Sequence, residues 1–264
     1  MADILKVGVV GCLGRMGQAI VAATGNFDGV EFVAGSEVSV HPGAGKRMPG
    51  TQVIVSDSAK AVFDAADVVI DFTPPGNTSV HAALALETGT ALVVGTTGFS
   101  ESDNAVLDQA ATDTVIIQAG NFSVGVNLLV ALAKQTAEKL GTEWDIEIVE
   151  MHHRDKIDAP SGTAEMLGEA AADGRGSTLA ELRAEDRSGI TGARKKGSIG
   201  FAALRGGSVI GEHDVVFASA SERITLSHKA ENRTLFADGA VRAALWAAGQ
   251  KAGRYSMQDV LDFD

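Results

Sequence analysis

The opening strand, turn and helix constrain this chain more than any other feature. Val7-Gly8-Val9-Val10 runs into Gly11-Cys12-Leu13-Gly14-Arg15-Met16-Gly17 and then into the helical Gln18-Ala19-Ile20-Val21. Glycines spaced G-x-x-G-x-x-G between a strand and a helix are a variant of the dinucleotide fingerprint G-x-G-x-x-G. Each glycine meets a mechanical need: a tight turn, a backbone that can approach a pyrophosphate, and a helix lying close to its strand. The helix N-terminus adds N–H donors and the positive end of the macrodipole. A second strand-like run, 30–35, leads to Glu37, where a carboxylate suits ribose hydroxyls. A plain strand-to-helix turn and a solvated loop acid are the alternative readings of these two features.

The rest of the first half extends the pattern. Short runs rich in Val and Ile at 4–10, 30–35, 67–72, 91–94 and 114–118 alternate with helical stretches at 14–23, 59–65, 78–87 and 101–111, the last entered through Ser100 with Asp103 three positions on. Strand and helix in repetition imply right-handed crossovers and a parallel sheet covered on both faces, so the first half reads as a doubly wound α/β domain. Other nucleotide folds fail on spacing. Gly43-Ala44-Gly45-Lys46-Arg47 lacks the first glycine of a P-loop, since position 40 is Val, and has Arg47 in place of Ser or Thr. Tyr255 is the only tyrosine and Asp259 stands four residues on, which excludes a Tyr-x-x-x-Lys dyad.

Near residue 122 the pattern changes. An amphipathic helix over 124–140 precedes a strand over 143–152, a loop, and a helix beginning near Pro160. A Gly-, Arg- and Lys-rich segment, 177–196, has little apolar periodicity. Strand-like runs come next at 199–204, 208–217 and 222–228, joined by the turns Gly206-Gly207 and Ser219-Ala220-Ser221, which predicts a mostly antiparallel sheet and an α+β domain. The stretch 233–252 is helical. At 264 residues the chain suits one large domain or two moderate ones. Cys12 is the single cysteine, so disulfides and cysteine-rich zinc sites are excluded and a reducing cytoplasm is the expected setting. No signal peptide and no run of about 20 apolar residues is present, so no membrane association is expected. With 22 basic against 34 acidic residues, a net charge of -12 opposes nucleic-acid binding.

The densest reactive cluster is Glu150-Met151-His152-His153-Arg154-Asp155-Lys156-Ile157-Asp158-Ala159-Pro160-Ser161-Gly162-Thr163. Histidine titrates near neutrality and lysine is a positive donor, a pairing suited to proton donation beside an anionic substrate. Ser161-Gly162-Thr163 reads as a helix entry able to clasp a carboxylate. Three other readings stand beside this one: one histidine is structural because neighbours on a strand face opposite ways, the cluster ligates a metal, or the run is a solvated loop. Without cysteine and with no suitably spaced third histidine, no metal is expected.

The motifs G-x-x-G-R-M-G, Asp71-Phe72-Thr73, Gly95-Thr96-Thr97-Gly98, Ala119-Gly120-Asn121-Phe122-Ser123, E-x-H-H-R-x-K-x-D-A-P-S-G-T, Arg205-Gly206-Gly207 and Gly211-Glu212-His213 occur in this order. Together they closely resemble the 4-hydroxy-tetrahydrodipicolinate reductase (dihydrodipicolinate reductase) family over nearly the whole chain. The resemblance implies a Rossmann-like dinucleotide-binding domain of residues 1–122 and 232–264, with hinges near Phe122 and Asn232. It also implies a substrate domain of residues 123–231 whose open sheet assembles a homotetramer. It further implies that Gly11, Cys12, Leu13, Gly14, Arg15 and Met16 wrap the pyrophosphate of NADH or NADPH and that Glu37 holds the adenosine ribose. Gly95, Thr96 and Thr97, with Ala119, Gly120, Asn121 and Phe122, would approach the nicotinamide. His152 and Lys156 would be catalytic, His153 a substrate contact, and Gly162 and Thr163 the carboxylate site for a small dianionic substrate. The Arg194-Lys195-Lys196 loop is expected to add positive charge. Val38 follows Glu37, and Pro74 flanks the expected adenine region, where many members carry arginine; Asp155 fills a variable position. Another two-domain amino-acid dehydrogenase and a non-enzymatic nucleotide sensor are the rival functions.

Overall fold

The computed structural model describes residues 4–184 and 187–263. Residues 1–3 and 264, at the ends of the expected dinucleotide domain, and residues 185 and 186 of the 177–196 segment lie outside the described residues. The chain divides into two compact units, one ending at Ser123 and resumed over Thr234–Asp262, the other Val124–Arg233. The elements in chain order are β1 (Leu5–Val10), α1 (Arg15–Thr24), β2 (Val30–Ser36), α2 (Ala59–Ala65), β3 (Val68–Asp71), α3 (Thr78–Thr88), β4 (Ala91–Val94), α4 (Glu101–Ala110), β5 (Val115–Gln118), α5 (Val124–Lys139), β6 (Asp145–His152), α6 (Gly162–Gly174), α7 (Leu179–Leu182), β7 (Ile199–Arg205), β8 (Glu212–Ala218), β9 (Arg223–Lys229), α8 (Thr234–Ala247), β10 (Gly253–Tyr255) and α9 (Met257–Val260).

In the first unit the strands form one parallel sheet in the order β10-β5-β4-β3-β1-β2. Alternate residues feed two cores, as expected of a sheet covered on both faces. Val7, Val9, Ile70, Val93 and Ile117 pack with α1 and α8, while Val10, Val69, Leu92, Val94 and Ile116 pack with α2, α3 and α4. The capping box read at Ser100 forms: the Ser100 hydroxyl accepts from the Asp103 N–H and the Asp103 carboxylate accepts from the Ser100 N–H. The sequence reading missed β10 and α9. The three residues of β10 are too few to carry a period, and the strand is held by Arg254, which pairs with Asp108 at 2.5 Å and reaches Asn104 at 2.7 Å.

The second unit corrects an expectation. Its sheet has the order β7-β6-β8-β9, so β6 inserts between β7 and β8, which do not pair. β6 runs parallel to β7 and antiparallel to β8. Gly206-Gly207 therefore begins a crossing rather than a hairpin, whereas Ser219-Ala220-Ser221 does turn the antiparallel β8–β9 pair. The sheet is mixed, and β8 starts at Glu212 rather than Ser208. One face carries Ile146, Ile148, Ile199, Val215 and Phe217 into a core with Leu129, Ala133, Leu167 and Ala171 of α5 and α6. Among the described residues, no helix of this unit packs a core cluster against the other face, and Leu204 there is 49% exposed.

Candidate active site

In the first unit every predicted cofactor residue lies at the C-terminal ends of β1 to β5, around the point between β1 and β3 where the strand order reverses. Open parallel sheets bind ligands at such a crevice. Gly11 adopts φ +66°, where side chains are strained, and a Cβ at Gly17 would lie 2.2 Å from the Gly11 carbonyl oxygen. The turn thus admits no side chain at its tightest point. Gly14 caps α1 without a side-chain hydrogen bond, so the first turn keeps donors for an anion. These features fit a pyrophosphate held by Leu13 to Met16. Cys12 plays a different part: its N–H donates to the Ser36 carbonyl at 3.1 Å and its side chain is fully buried against Gly35. Burial, with the Glu37 carboxylate nearby, pushes its thiol up to about 11. The hydrogen bond from Cys12 to Ser36 sets the following residue, Glu37, beside the glycine turn. The loop after β2 folds back on the same turn, because a Cβ at Gly43 would meet Leu13 at 2.5 Å.

The segments expected to approach the nicotinamide are tied together by a largely buried network. The Asp71 carboxylate accepts from the Thr73 N–H and hydroxyl, each at 2.7 Å, and contacts His81 Nδ1 at 2.6 Å. The Thr96 hydroxyl donates to the Thr73 carbonyl at 2.7 Å, and the Gly95 N–H to the Asp71 carbonyl at 2.8 Å. A Cβ at Gly95 would strike the Phe72 ring at 2.3 Å, and Phe72 packs on Phe122 with ring centroids 5.4 Å apart. Thr97 and Gly120 are exposed, while Asn121 and Phe122 are buried. The Asn121 side-chain oxygen accepts from the Ser123 N–H at 2.8 Å.

In the second unit the buried face of β6 reads Ile146, Ile148, Glu150, His152, apolar residues giving way to ionisable ones toward the C-terminal end. The register sets Glu150 opposite His213 on β8 and His152 beside Arg205 on β7. His152 Nδ1 lies 2.6 Å from Glu150 Oε2. Arg205 grips both oxygens of that carboxylate, each at 2.7 Å, and the Ser161 N–H donates to Oε1 at 3.1 Å. Burial alone would raise the Glu150 carboxyl, but Arg205 and His152 outweigh it and hold it below the usual range. Burial lowers His152, against the pull of Glu150. It pushes His213, whose Nε2 lies 2.9 Å from the Ser161 hydroxyl, down to about 4. Past the strand the backbone turns, and the Lys156 ammonium donates to Asp158 Oδ1 at 2.9 Å. Ser161 caps α6, accepting from the Ala164 N–H, so Gly162 and Thr163 form the positive end of that helix. His153 follows the end of β6 and is half-buried where His152 is buried.

One expected contribution is corrected. Arg194 is committed to Asp145 and Glu147, each at 2.9 Å, and to the carbonyls of Ile146 and Ser198. The carboxylates lie toward the start of β6, about 16 to 23 Å along the strand from His152 at ~3.3 Å per residue. It staples the 187–198 loop and supplies no charge to the histidine end. Conversely, sequence reasoning quoted Glu150, Arg205, Ser161 and His213 without seeing their convergence. The available signal was the alternation of β6, which puts Glu150 on the same face as Ile146 and Ile148. Among the described residues, no group of three or more His, Cys, Asp or Glu could hold a metal ion.

Comparison with known proteins agrees with this geometry over the whole chain. Residues 5–122 match the family described as "Dihydrodipicolinate reductase, N-terminus" and residues 125–261 match "Dihydrodipicolinate reductase, C-terminus". The chain is 51% identical to 4-hydroxy-tetrahydrodipicolinate reductase of Ruegeria sp. (strain TM1040), covering 99% of each. It is 50% identical to the protein of that name from Afipia carboxidovorans, covering 99% of this chain and 98% of the relative. The solved structure of dipicolinate-bound dihydrodipicolinate reductase from Paenisporosarcina sp. TG-14 superposes with a TM-score of 0.81 at 26% identity, covering 97% of this chain and 99% of that one. Motif order, paired units and full-length identity converge, and the chain belongs to the dihydrodipicolinate reductase family.

Proposed function

We propose that the chain reduces 4-hydroxy-tetrahydrodipicolinate to tetrahydrodipicolinate with loss of water, using NADH or NADPH, in bacterial lysine and diaminopimelate biosynthesis. The observation that carries this reading is a buried histidine and a half-buried lysine set beside the positive end of α6, in a full-length member of this family. A reduced nicotinamide supplies a hydride when bound. Gly11 and Leu13 to Met16 would hold the pyrophosphate, Cys12 would pack beneath it, and Glu37 would take the ribose. The loops at Gly95, Thr96 and Thr97 and at Ala119 to Phe122 would seat the ring. Overall, one water leaves while a hydride and a proton enter. Lys156 carries the ammonium that can protonate the leaving hydroxyl or the developing carbanion, and His152, whose burial favours the neutral ring, relays a proton through Nε2. Gly162 and Thr163 fit one substrate carboxylate, with His153 as a further contact. Oxidation of NADH or NADPH with substrate generated from pyruvate and aspartate semialdehyde tests this directly, and no oxidation with either cofactor would overturn it. The single, buried Cys12 accords with a reducing cytoplasm, and among the described residues no helix is long and apolar enough to cross a membrane.

NADH is expected to serve at least as well as NADPH. Glu37 can accept hydrogen bonds from both ribose hydroxyls, but it would face a 2′-phosphate at close range. Val38, exposed beside it, offers no charge. The loop that packs on Leu13 also bears the exposed Lys46 and Arg47, which could pair with a phosphate and give dual use. The measurement is kcat/KM for both cofactors at two salt concentrations, on the parent and on Lys46→Ala/Arg47→Ala. An NADPH preference above about tenfold, roughly 1.4 kcal/mol, would sink the expectation. Loss of NADPH use only in the double variant would locate the phosphate contact in this loop.

A homotetramer is also expected. In the second unit the sheet face opposite α5 and α6 carries Val149, Met151, Leu204 and Val216, and β9 is an exposed edge strand. Such an edge invites pairing, and closed symmetric assembly covers it. Sedimentation equilibrium at micromolar concentration checks this; a monomer would refute it.

A further inference from the structure

We infer that Glu150, clamped by Arg205, is a positioning residue that fixes the tautomer of His152 and ties the Lys156 loop to the same strand. The inference rests on the reaction proposed above and deepens it. A carboxylate only accepts hydrogen bonds, so the 2.6 Å contact requires His152 Nδ1 to carry the proton. In the neutral ring the lone pair is then on Nε2. That nitrogen lies beside Gly211, where a Cβ would stand 3.0 Å from it, so any side chain at this position would crowd Nε2. The same Arg205 that neutralises Glu150 also donates through Nη2 to the Asp158 carbonyl at 2.6 Å. Asp158 in turn holds the Lys156 ammonium. One guanidinium therefore joins the strand carrying the histidine to the loop carrying the lysine. Glu150 is 1% exposed, and a carboxylate so buried persists as an ion only when paired and hydrogen-bonded. Arg205, His152 and the Ser161 N–H meet that need.

The groups facing His152 are Glu150 on its own strand, Arg205 at the end of β7, His213 on β8 with its ring edge-on at 5.1 Å and Lys156 in the loop, while Ser161 at the start of α6 bonds Glu150 and His213. His228 on β9 lies beyond His213. Glu150 favours the charged imidazole, whereas Arg205 and Lys156 disfavour it. Removing Glu150 and removing Arg205 should therefore move the His152 titration in opposite directions, a result that loss of scaffold alone would not give. The experiment is NMR titration of His152 in the full-length, substrate-free protein, its resonance assigned with His152→Gln, together with kcat and KM. In Glu150→Gln the midpoint is expected to fall, with kcat down about 10- to 100-fold, as when partners that orient metal-bound histidines are removed, and with KM for NADH unchanged. In Arg205→Gln the midpoint is expected to rise. The double variant Glu150→Gln/Arg205→Met removes both charges of the pair, leaves neither unpaired, and should keep the low kcat if a single variant fails to fold. Midpoints that stay put or shift together, or a parental kcat in the double variant, would overturn the inference. Because the titration is read without substrate, unmoved midpoints in an active enzyme refute the positioning role alone. Absence of turnover in the parent refutes the assigned reaction alone.

Discussion

Truncating Lys156 or His152 to alanine is expected to lower kcat by about 10²- to 10⁴-fold, the range for loss of one positioned proton donor, while NADH binding changes little. Both side chains belong to the second unit, whereas the glycine turn, Glu37 and the Gly95 and Ala119 loops belong to the first. Their proposed task is to meet charge that develops in the ring, so their loss is expected to weigh on kcat rather than on cofactor affinity. The two variants should differ in side effects. Lys156 is half-buried and pairs with the exposed Asp158, so its removal leaves no buried charge. His152→Ala strips one donor from the buried Glu150 carboxylate and is expected to lower Tm as well. His152→Gln, whose amide can still donate to Glu150, separates the two effects by keeping the hydrogen bond without the titrating ring. Near-parental kcat in both Lys156→Ala and His152→Gln would refute the catalytic assignment. A rise confined to the KM for NADH would do so too.

Gly17→Ala is expected to cripple dinucleotide binding. The added Cβ would stand 2.2 Å from the Gly11 carbonyl oxygen, 2.7 Å from Cys12 Cα and 2.9 Å from Cys12 C. All three are backbone atoms of the turn itself, so no side-chain rotation relieves the clash, and α1 must move off the strand end that aims its N-terminus. Overpacking of this kind costs about 1 to 3 kcal/mol of fold stability; where binding must bring α1 back to its parental place, the upper part of that range corresponds to roughly 30- to 150-fold in affinity. Gly14→Ala supplies the contrast: its Cβ would stand 3.2 Å from the same oxygen in extended backbone, a contact that a shift of tenths of an ångström relieves. Fluorescence titration with NADH on both variants, with Tm recorded alongside, checks the ordering. Parental affinity in Gly17→Ala would mean that the close approach of α1 to the turn has no part in holding the cofactor.

Sequence by itself determined what depends on local period and on backbone chemistry. The Val- and Ile-rich runs and the helical spacing of the first half specify its strands and helices to within a residue or two, because a strand buried on both faces and a helix lying across it leave different periods in the chain. Gly11 and Gly17 were legible because their roles are exclusions: positive φ at one, no room for Cβ at the other. The histidine and lysine segment was legible as chemistry.

Tertiary structure alone decided which strands are neighbours and which side chains are already committed. Nothing in the short connection after Arg205 says that β6, formed some fifty residues earlier, takes the place beside β8. Pairing is a long-range choice made by burying Ile146, Ile148, Val215 and Phe217 under α5 and α6. That choice brings Arg205 and His213 to Glu150, from 55 and 63 positions away in the chain, and turns three separately noted residues into one network around His152. The same long-range pairing removes Arg194 from the histidine end by fastening it to Asp145 and Glu147, and in the first unit the β1–β2 pairing engages the Cys12 N–H with Ser36. Residue type shows what a side chain can do, whereas its partners, set by the fold, decide what it remains free to do.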